Sequence, residues 1–229
     1  MRGIVVDTPS FDVYEQMSCD EIMCETMPAE CILRFYRWKD NGITFGFSQR
    51  YSKVLSTLAE DKKNYKMTRR PTGGGIVIHE DDLTFSLIFY SPGEFNPEKT
   101  YNMLHSAIYH EYAKNGFLLK IAASKKPSYE INEPVMECFK KPVNMDLMVE
   151  EKKVLGGALR RFSDYMLYQA SLQFENARSS SLHTKLITEA FENLFQVRFE
   201  KYELRDEYIK RIEEKANEKY LSDKWIKRI

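Results

Sequence analysis

Residues 69–89 read RRPTGGGIVIHEDDLTFSLIF. Gly73, Gly74 and Gly75 stand in a row, and each glycine loses more backbone entropy on ordering than any other residue would. Such a run is worth keeping where backbone must approach another group closely or turn with positive φ. Two readings follow. One is a plain glycine hairpin between two strands. The other is a cradle whose N–H groups meet a carbonyl, carboxylate or phosphate while Arg69 or Arg70 adds charge-assisted bonds. No Gly-Lys-Ser/Thr follows and the spacing is not G-x-G-x-x-G, so the run is neither a Walker A loop nor a dinucleotide fingerprint. Ile76–His79 and Leu83–Tyr90 flank an acidic turn and read as strands. His79, at a strand end, reads as a structural hydrogen-bonder rather than a base.

Outward from this stretch, Tyr14 to Met27 has helical character and Pro28 closes it. Cys31 to Trp38 alternates and is rich in aromatics, and residues 39–42 (KDNG) form a turn signal before a second run from Ile43; the pair is predicted as a hairpin. Leu55 to Asn64 is polar and helix-compatible. Asn96 followed by Pro97 is an N-cap and first-turn pair; Tyr101, Leu104, Ile108 and Tyr112 then recur at helical spacing until Asn115 and Gly116. Short strands return between Asp146 and Phe174. From Thr184 the pattern is helical, with Leu186, Ala190 and Leu194 on one face and a charged, solvated stretch over Glu207–Lys219. The sum predicts an α+β fold, a mixed or antiparallel sheet covered by helices, in one domain over residues 1–229. Its core extends to about residue 175, with a helical extension over 176–229.

The 229 residues carry Lys+Arg 34 and Asp+Glu 34. A net charge of zero argues against holding nucleic acid or anionic membrane by bulk electrostatics, which needs a surplus of cations. No apolar run reaches the ~18 residues of a membrane span, and Asp7 falls where a signal peptide would need its apolar core; the expected location is the cytoplasm. Cys19, Cys24, Cys31 and Cys138 form no C-x-x-C pair and have no nearby His, so no zinc or other metal site is expected and the thiols are free. The first three read as small buried hydrophobes. Cys138 lies in a polar, proline-bounded stretch just before Lys140 and Lys141, and neighbouring cations favour the thiolate that a nucleophile needs. Lys153 precedes Gly156 and Gly157, whose missing side chains would let a substrate pass; by itself it reads as a solvent-facing strand lysine.

Together these segments resemble the superfamily of lipoate and biotin protein ligases and octanoyltransferases. LRFYRWKDNGITFGFSQ (33–49) resembles its opening strands, RRPTGGGIVIHEDDLTFSLIF (69–89) its Arg-Gly-His signature, and KKVLGGALRR (152–161) with YQASL (168–172) its lysine element and following strand. Cys138-Phe139, Pro142, Asp146 and Lys153 resemble the cysteine-dependent octanoyltransferase branch, as does HEDDLTFS. Gly75 stands where that branch has Arg, Asp82 where it has Glu, Gly157 where it has Ser and Ala170 where it has Gly.

The resemblance implies a ligase-type catalytic domain that moves an octanoyl or lipoyl group from octanoyl-acyl carrier protein, through an acyl-enzyme on Cys138, to a lysine of a lipoyl-domain protein such as a glycine-cleavage H protein or a dehydrogenase E2 subunit. Lys153 would assist, and Arg70, Thr72, Gly73, Gly74, Gly75, His79, Gly156, Gly157 and Ala158 would bind substrate, with Ile76, Val77 and Leu87 walling the acyl tail. No cofactor is implied. The alternatives are an ATP-dependent lipoate ligase, which would use ATP and Mg2+, and a catalytically silent acyl- or carrier-binding protein. The neutral chain would recognise acidic partners through local patches such as Lys140–Lys141 or Arg160–Arg161.

Overall fold

The computed structural model describes residues 2–26, 28–123 and 143–229. Cys138, Phe139, Lys140, Lys141 and Pro142 lie outside the described residues. In chain order the elements are β1 (Gly3–Asp7), α1 (Val13–Thr26), β2 (Cys31–Phe35), β3 (Gly42–Phe45), α2 (Tyr51–Thr57), β4 (Lys66–Arg69), β5 (Val77–His79), β6 (Leu83–Tyr90), α3 (Pro97–Lys114), β7 (Lys120–Ile121), β8 (Leu147–Val149), β9 (Lys152–Phe162), β10 (Tyr165–Leu172), α4 (Ser181–Phe195), β11 (Phe199–Glu203), α5 (Asp206–Lys215) and α6 (Asp223–Ile226). The larger sheet is mixed and runs β11-β1-β2-β6-β10-β9-β8-β7; a smaller one runs β4-β3-β5. The α+β expectation is met.

Strand alternation decides how the layers meet. On β6, Leu83, Phe85, Leu87 and Phe89 point to one face, where they pack with Met166 and Tyr168 of β10, Leu104, Ile108 and Tyr112 of α3, and Leu186, Ile187 and Phe191 of α4. α3 begins as its sequence predicts, with the Asn96 side chain accepting from the Lys99 N–H at 2.9 Å. The opposite face is divided along its length. At one end Ile4, Ile32, Ile88 and Leu167 pack against Ile22 and Met23 of α1 and Ile212 of α5. At the other end the same face carries Arg34, Ser86, Thr84, Gln169 and Ser171, all buried. A buried polar surface of this kind needs partners, and α1 and the smaller sheet supply them.

Two local expectations are corrected. β2 and β3 do not form a hairpin: β2 lies between β1 and β6 in the large sheet, whereas β3 pairs with β4 and β5. The intervening chain is drawn to the entry of α1, where Phe11 N–H donates to Arg37 O and Lys39 N–H to Phe11 O, both at 2.9 Å. The part after residue 175 is not helical throughout, because β11 adds an edge strand parallel to β1. Among the described residues no helix is long and apolar enough to cross a membrane.

Candidate active site

The polar end of the large sheet is laid out by register. Arg34, Ser86, Gln169 and Ala158 are successive partners across β2, β6, β10 and β9, and Thr84, Ser171 and Gly156 form the next row. Asp20, on α1 and fully buried, caps the first row. Its Oδ1 accepts from Arg34 Nε at 2.9 Å, Arg34 NH2 at 2.6 Å and the Ser86 hydroxyl at 2.7 Å; Oδ2 accepts from Gln169 Nε2 at 2.7 Å and from the Tyr36 hydroxyl. Burial and then the Asp20 charge push the Tyr36 phenol well above its ordinary value, so it remains a donor. Gln169 in turn accepts from the Thr72 hydroxyl at 2.7 Å. One amide therefore joins α1 to the residue that opens the glycine run.

The run itself is held from beneath. Arg70 donates to Gly73 O through Nε at 3.0 Å and NH2 at 2.6 Å, and the Phe47 N–H donates to Thr72 O at 2.8 Å. Gly74 has φ +89°, a conformation that glycine adopts without penalty. Gly46, which carries no signal in the sequence by itself, explains the close packing: a Cβ there would lie 1.9 Å from Gly74 O. Above Gly73 the space is open, and a Cβ added at that residue would meet nothing within 4 Å. Arg69 is structural, donating to the carbonyls of Phe47, Gln49, Trp225 and Ile226 at 2.6–3.1 Å.

His79 bridges the two sheets. Its Nδ1 meets Asp82 Oδ2 at 2.9 Å, its Nε2 meets the Thr44 hydroxyl at 2.9 Å, and its ring stacks on Trp38 with centroids 4.4 Å apart. Asp82 also accepts from Thr84 and Ser171, each at 2.6 Å. Burial works to raise that carboxyl, and the facing His79 and the two hydroxyls outweigh it, holding it below the usual carboxylate range. Both ring nitrogens are thus engaged, in keeping with the structural reading of His79.

Lys153 does not face solvent; Lys152 does. The Lys153 ammonium is 2.8 Å from Asp146 Oδ2, with side-chain exposures of 5% and 0%. Asp146 accepts as well from Val143 N–H at 2.7 Å and from the Tyr101 hydroxyl at 2.6 Å, and Tyr101 oxygen accepts from Gly157 N–H at 3.1 Å. Gly156 and Gly157 leave room of a different kind from that expected: a Cβ on Gly156 would sit 2.4 Å from Lys153 Nζ, and one on Gly157 would sit 2.3 Å from Tyr168 Cε2. Those spaces belong to the protein's own side chains. Behind them His105 accepts from the Tyr168 hydroxyl at 2.7 Å through Nε2 and donates to Met145 O at 2.9 Å through Nδ1. Burial pushes the imidazole down to about 3, so it stays neutral in this bridge.

Two clefts meet at Lys153. The first, about 40 Å³, is lined by Met17, Tyr36, Thr44, Arg70, Val77, His79, Lys153, Gly156, Gly157, Ala158, Gln169 and Ser171. The second, about 820 Å³, lies between Leu58, Lys62, Ile76, Ile78 and Glu80 on one side and Glu151, Lys152, Lys153 and Val154 on the other. The fold thus gathers Arg70, His79, Lys153, Gly156, Gly157 and Ala158 about one opening, with Thr72 tied to it through Gln169 and the glycine run beside it. Val77 and Ile76 line different clefts. Leu87 lines neither, because the alternation of β6 turns it into the core with Phe85 and Leu104.

The sequence reading missed Asp20, Gln169, Tyr101 and Gly46. Asp20 carried a usable signal, an acid at helical spacing from Met17 and Cys24 on a helix that is buried nearly all round. Cys19, Cys24 and Cys31 are buried, as expected of small hydrophobes. Burial pushes the Cys19 thiol up to about 11 and the Cys31 thiol up to about 12, far from a reactive thiolate. Among the described residues no group of three or more His, Cys, Asp or Glu side chains could hold a metal ion.

A mixed sheet thus carries a small second sheet folded over its polar end, with a buried lysine at the mouth of the cleft between them. The chain belongs to the lipoyl protein ligase A/B catalytic domain family, whose model matches residues 12–215. It is similar to octanoyltransferase LipM of Staphylococcus aureus (strain NCTC 8325 / PS 47), with 27% identity over 176 residues, 73% of this chain and 64% of that relative. The match therefore spans just under two thirds of that protein's length. Octanoyltransferase LipM of Bacillus subtilis (strain 168) is 26% identical over 240 residues, 85% of each chain. Among solved structures, a Thermoplasma acidophilum lipoate protein ligase with bound lipoic acid superposes with TM-score 0.79 at 21% identity, covering all of both chains. Lipoate-protein ligase A bound with ATP superposes with TM-score 0.78 at 20% identity, covering 99% of each. These two likenesses establish the fold.

Proposed function

We propose that the chain transfers an octanoyl or lipoyl group from a carrier-protein thioester to a lysine of a lipoyl-domain protein in the cytoplasm. The observation that carries this reading is the buried Lys153 ammonium where a narrow and a wide cleft meet, an arrangement suited to two substrates that approach one reacting carbonyl from different sides. The similarity to proteins named octanoyltransferase supports it.

In the first step the Cys138 thiolate attacks the thioester carbonyl. A carbon–sulfur bond to Cys138 forms, the bond to the donor's sulfur breaks, and the donor leaves as a thiol once it has taken up a proton. In the second step the neutral amine of the acceptor lysine attacks the acyl-enzyme; the carbon–nitrogen bond forms, the bond to Cys138 breaks, and the proton lost by nitrogen restores the thiol. An amide lies below a thioester in free energy, so no ATP is consumed. Lys153, fixed by Asp146 and Tyr101, supplies positive charge for the thiolate and for the oxyanion of each tetrahedral intermediate; one such donor is worth about 3–4 kcal/mol of transition-state stabilisation. Arg70, Thr72, His79, Gly73–Gly75 and Gly156–Ala158 shape the acyl-binding side. The donor is octanoyl-acyl carrier protein, and the acceptor a glycine-cleavage H protein or a dehydrogenase E2 lipoyl domain.

A second reading, ATP-dependent lipoate ligation, is favoured by the open space above Gly73 beside the Arg70 guanidinium, where the backbone could receive an acyl-adenylate. Intact-mass measurement after incubation with octanoyl-acyl carrier protein, without ATP, separates the two. The expected result is one octanoyl adduct on the wild-type chain and none on Cys138→Ala. An adduct that persists in Cys138→Ala, or none on either, contradicts the proposal.

A further inference from the structure

β9 continues past the first cleft. Its alternation places Gly156, Ala158, Arg160 and Phe162 on one face, so Arg160 lies two residues, about 6.6 Å, outward from the cleft-lining Ala158. Arg160 donates to Pro71 O at 2.8 Å, which ties it to the chain just before the glycine run, and its guanidinium lies 4.6 Å from the Phe47 ring centroid and 5.1 Å from that of Phe162. From the far end of the chain Arg228 reaches the same Phe47 ring at 4.0 Å. Arg50, exposed, stands at the cap of α2 three residues beyond Phe47. Among the described residues none of Arg50, Arg160 and Arg228 forms an ion pair with a carboxylate, in a chain whose other surface cations are widely paired.

The charge of Arg228 also bears on Arg69. Burial first, and the nearby Arg228 second, push the Arg69 guanidinium down to about 10. An anion placed here would relieve the repulsion. The Arg160 and Arg228 guanidinium groups both lie over the Phe47 ring, and a guanidinium presents donors suited to bidentate bonds to phosphate or carboxylate. The second cleft differs, because its rim mixes Lys62 and Lys152 with Glu80 and Glu151.

Of the two protein substrates in the proposed reaction, one presents a lysine and the other a phosphodiester. The acceptor's reacting group is an amine, cationic when free, which an arginine cluster repels; both partners are expected to be acidic, and the donor alone adds a phosphate to that charge. The donor carries its acyl thioester on a phosphopantetheine arm rooted in an acidic protein. We infer that Arg160, Arg228 and Phe47, at the outer end of the narrow cleft, form the docking surface for the acidic, phosphate-bearing face of the acyl-carrier donor. The inference rests on the transfer reading above and adds the side from which the donor enters, leaving the mixed-charge cleft to the acceptor.

The test uses the full chain carrying Arg160→Glu with Arg228→Glu, and Lys185→Glu with Lys210→Glu, exposed on α4 and α5, as a charge-matched control. Binding of octanoyl-acyl carrier protein is measured directly, and transfer is followed with that donor and with octanoyl-pantetheine, which lacks both phosphate and protein. Expected are an increase of about tenfold or more in Kd and KM for the carrier donor, unchanged transfer from octanoyl-pantetheine, and a control that behaves as wild type. Arg228→Ala, at an exposed side chain, gives the same reading in smaller degree should the double variant fail to fold. Wild-type carrier binding by the variants, equal loss with both donors, or weakened binding of the lipoyl domain instead would overturn the inference. If no thioester supports transfer at all, the transfer reading fails, while the binding measurement still decides the docking surface.

Discussion

Lys153→Met is expected to lower octanoyl transfer by about a hundredfold to a thousandfold, the usual cost of removing one charge-stabilising donor. Methionine keeps an apolar stem in the space beneath Gly156 and removes the ammonium that Asp146 holds at 2.8 Å. The single change also leaves Asp146 as a buried carboxylate without its cation, so part of the loss would come from the fold. Lys153→Met with Asp146→Asn separates the two effects, because it leaves neither charge behind. The double variant is expected to regain much of the thermal stability lost by the single one, with transfer still depressed. Transfer near the wild-type rate in either variant would remove Lys153 from the chemistry.

Asp20→Ala is expected to cost about 3–5 kcal/mol of stability, the range for breaking a buried ion pair from one side. For a domain of this size that corresponds to a fall of about 6–20 °C in Tm. The reason lies in how much converges on Asp20: Arg34 is 1% exposed and loses its counter-charge, and Ser86, Tyr36 and Gln169 lose their acceptor at the same time. Gln169 is also the anchor of Thr72, so the glycine run loosens with the core, and KM for the acyl donor is expected to rise in whatever fraction remains folded. Asp20→Leu with Arg34→Met, which removes both charges, should be far less destabilising than Asp20→Ala. Thermal and urea unfolding of the three chains check this; a loss under about 1 kcal/mol in Asp20→Ala would mean the network contributes little to stability.

What could be read from sequence was local. The Asn96–Pro97 start of α3, the two strands around the acidic turn and the conformational demand of the glycine run each depend on a few adjacent residues, and each has its expected place. The hairpin over residues 31–45 failed because turn chemistry at residues 39–42 was outweighed by distant pairings. Cys31, Leu33 and Phe35 pack toward α3 and α4 in the large sheet, whereas Ile43 and Phe45 join Val54, Leu58 and Ile76 beneath the small one. β11 was missed because its FEKYE sequence is charged and half-exposed, an edge strand that pairs with β1 at the opposite end of the chain.

The site divides in the same way. Arg70, His79, Lys153 and the paired glycines of β9 were visible as residue types, but their geometry was not. Lys152 and Lys153 are identical in sequence terms, and only the packing against Asp146 and Gly156 buries the second. Asp20 and Gln169 were invisible as partners, since 149 positions separate them and only the seating of α1 over the Arg34–Ser86–Gln169 row, which strand register builds, brings them within 2.7 Å. That register also explains why the resemblance to a family was informative where composition was not: the motifs sit on β2, β6, β9 and β10, the four strands whose polar rows build the cleft.

The most direct measurement is single-turnover acylation of a lipoyl domain under two supply conditions. In one, octanoyl-acyl carrier protein is the only acyl source and ATP is absent; in the other, free octanoate is supplied with ATP and Mg2+. The amide on the target lysine is read by mass. Transfer in the first condition and none in the second is the expected result, with the first abolished by Cys138→Ala. Acylation only with ATP and the free acid would contradict thioester transfer and identify the chain as a ligase.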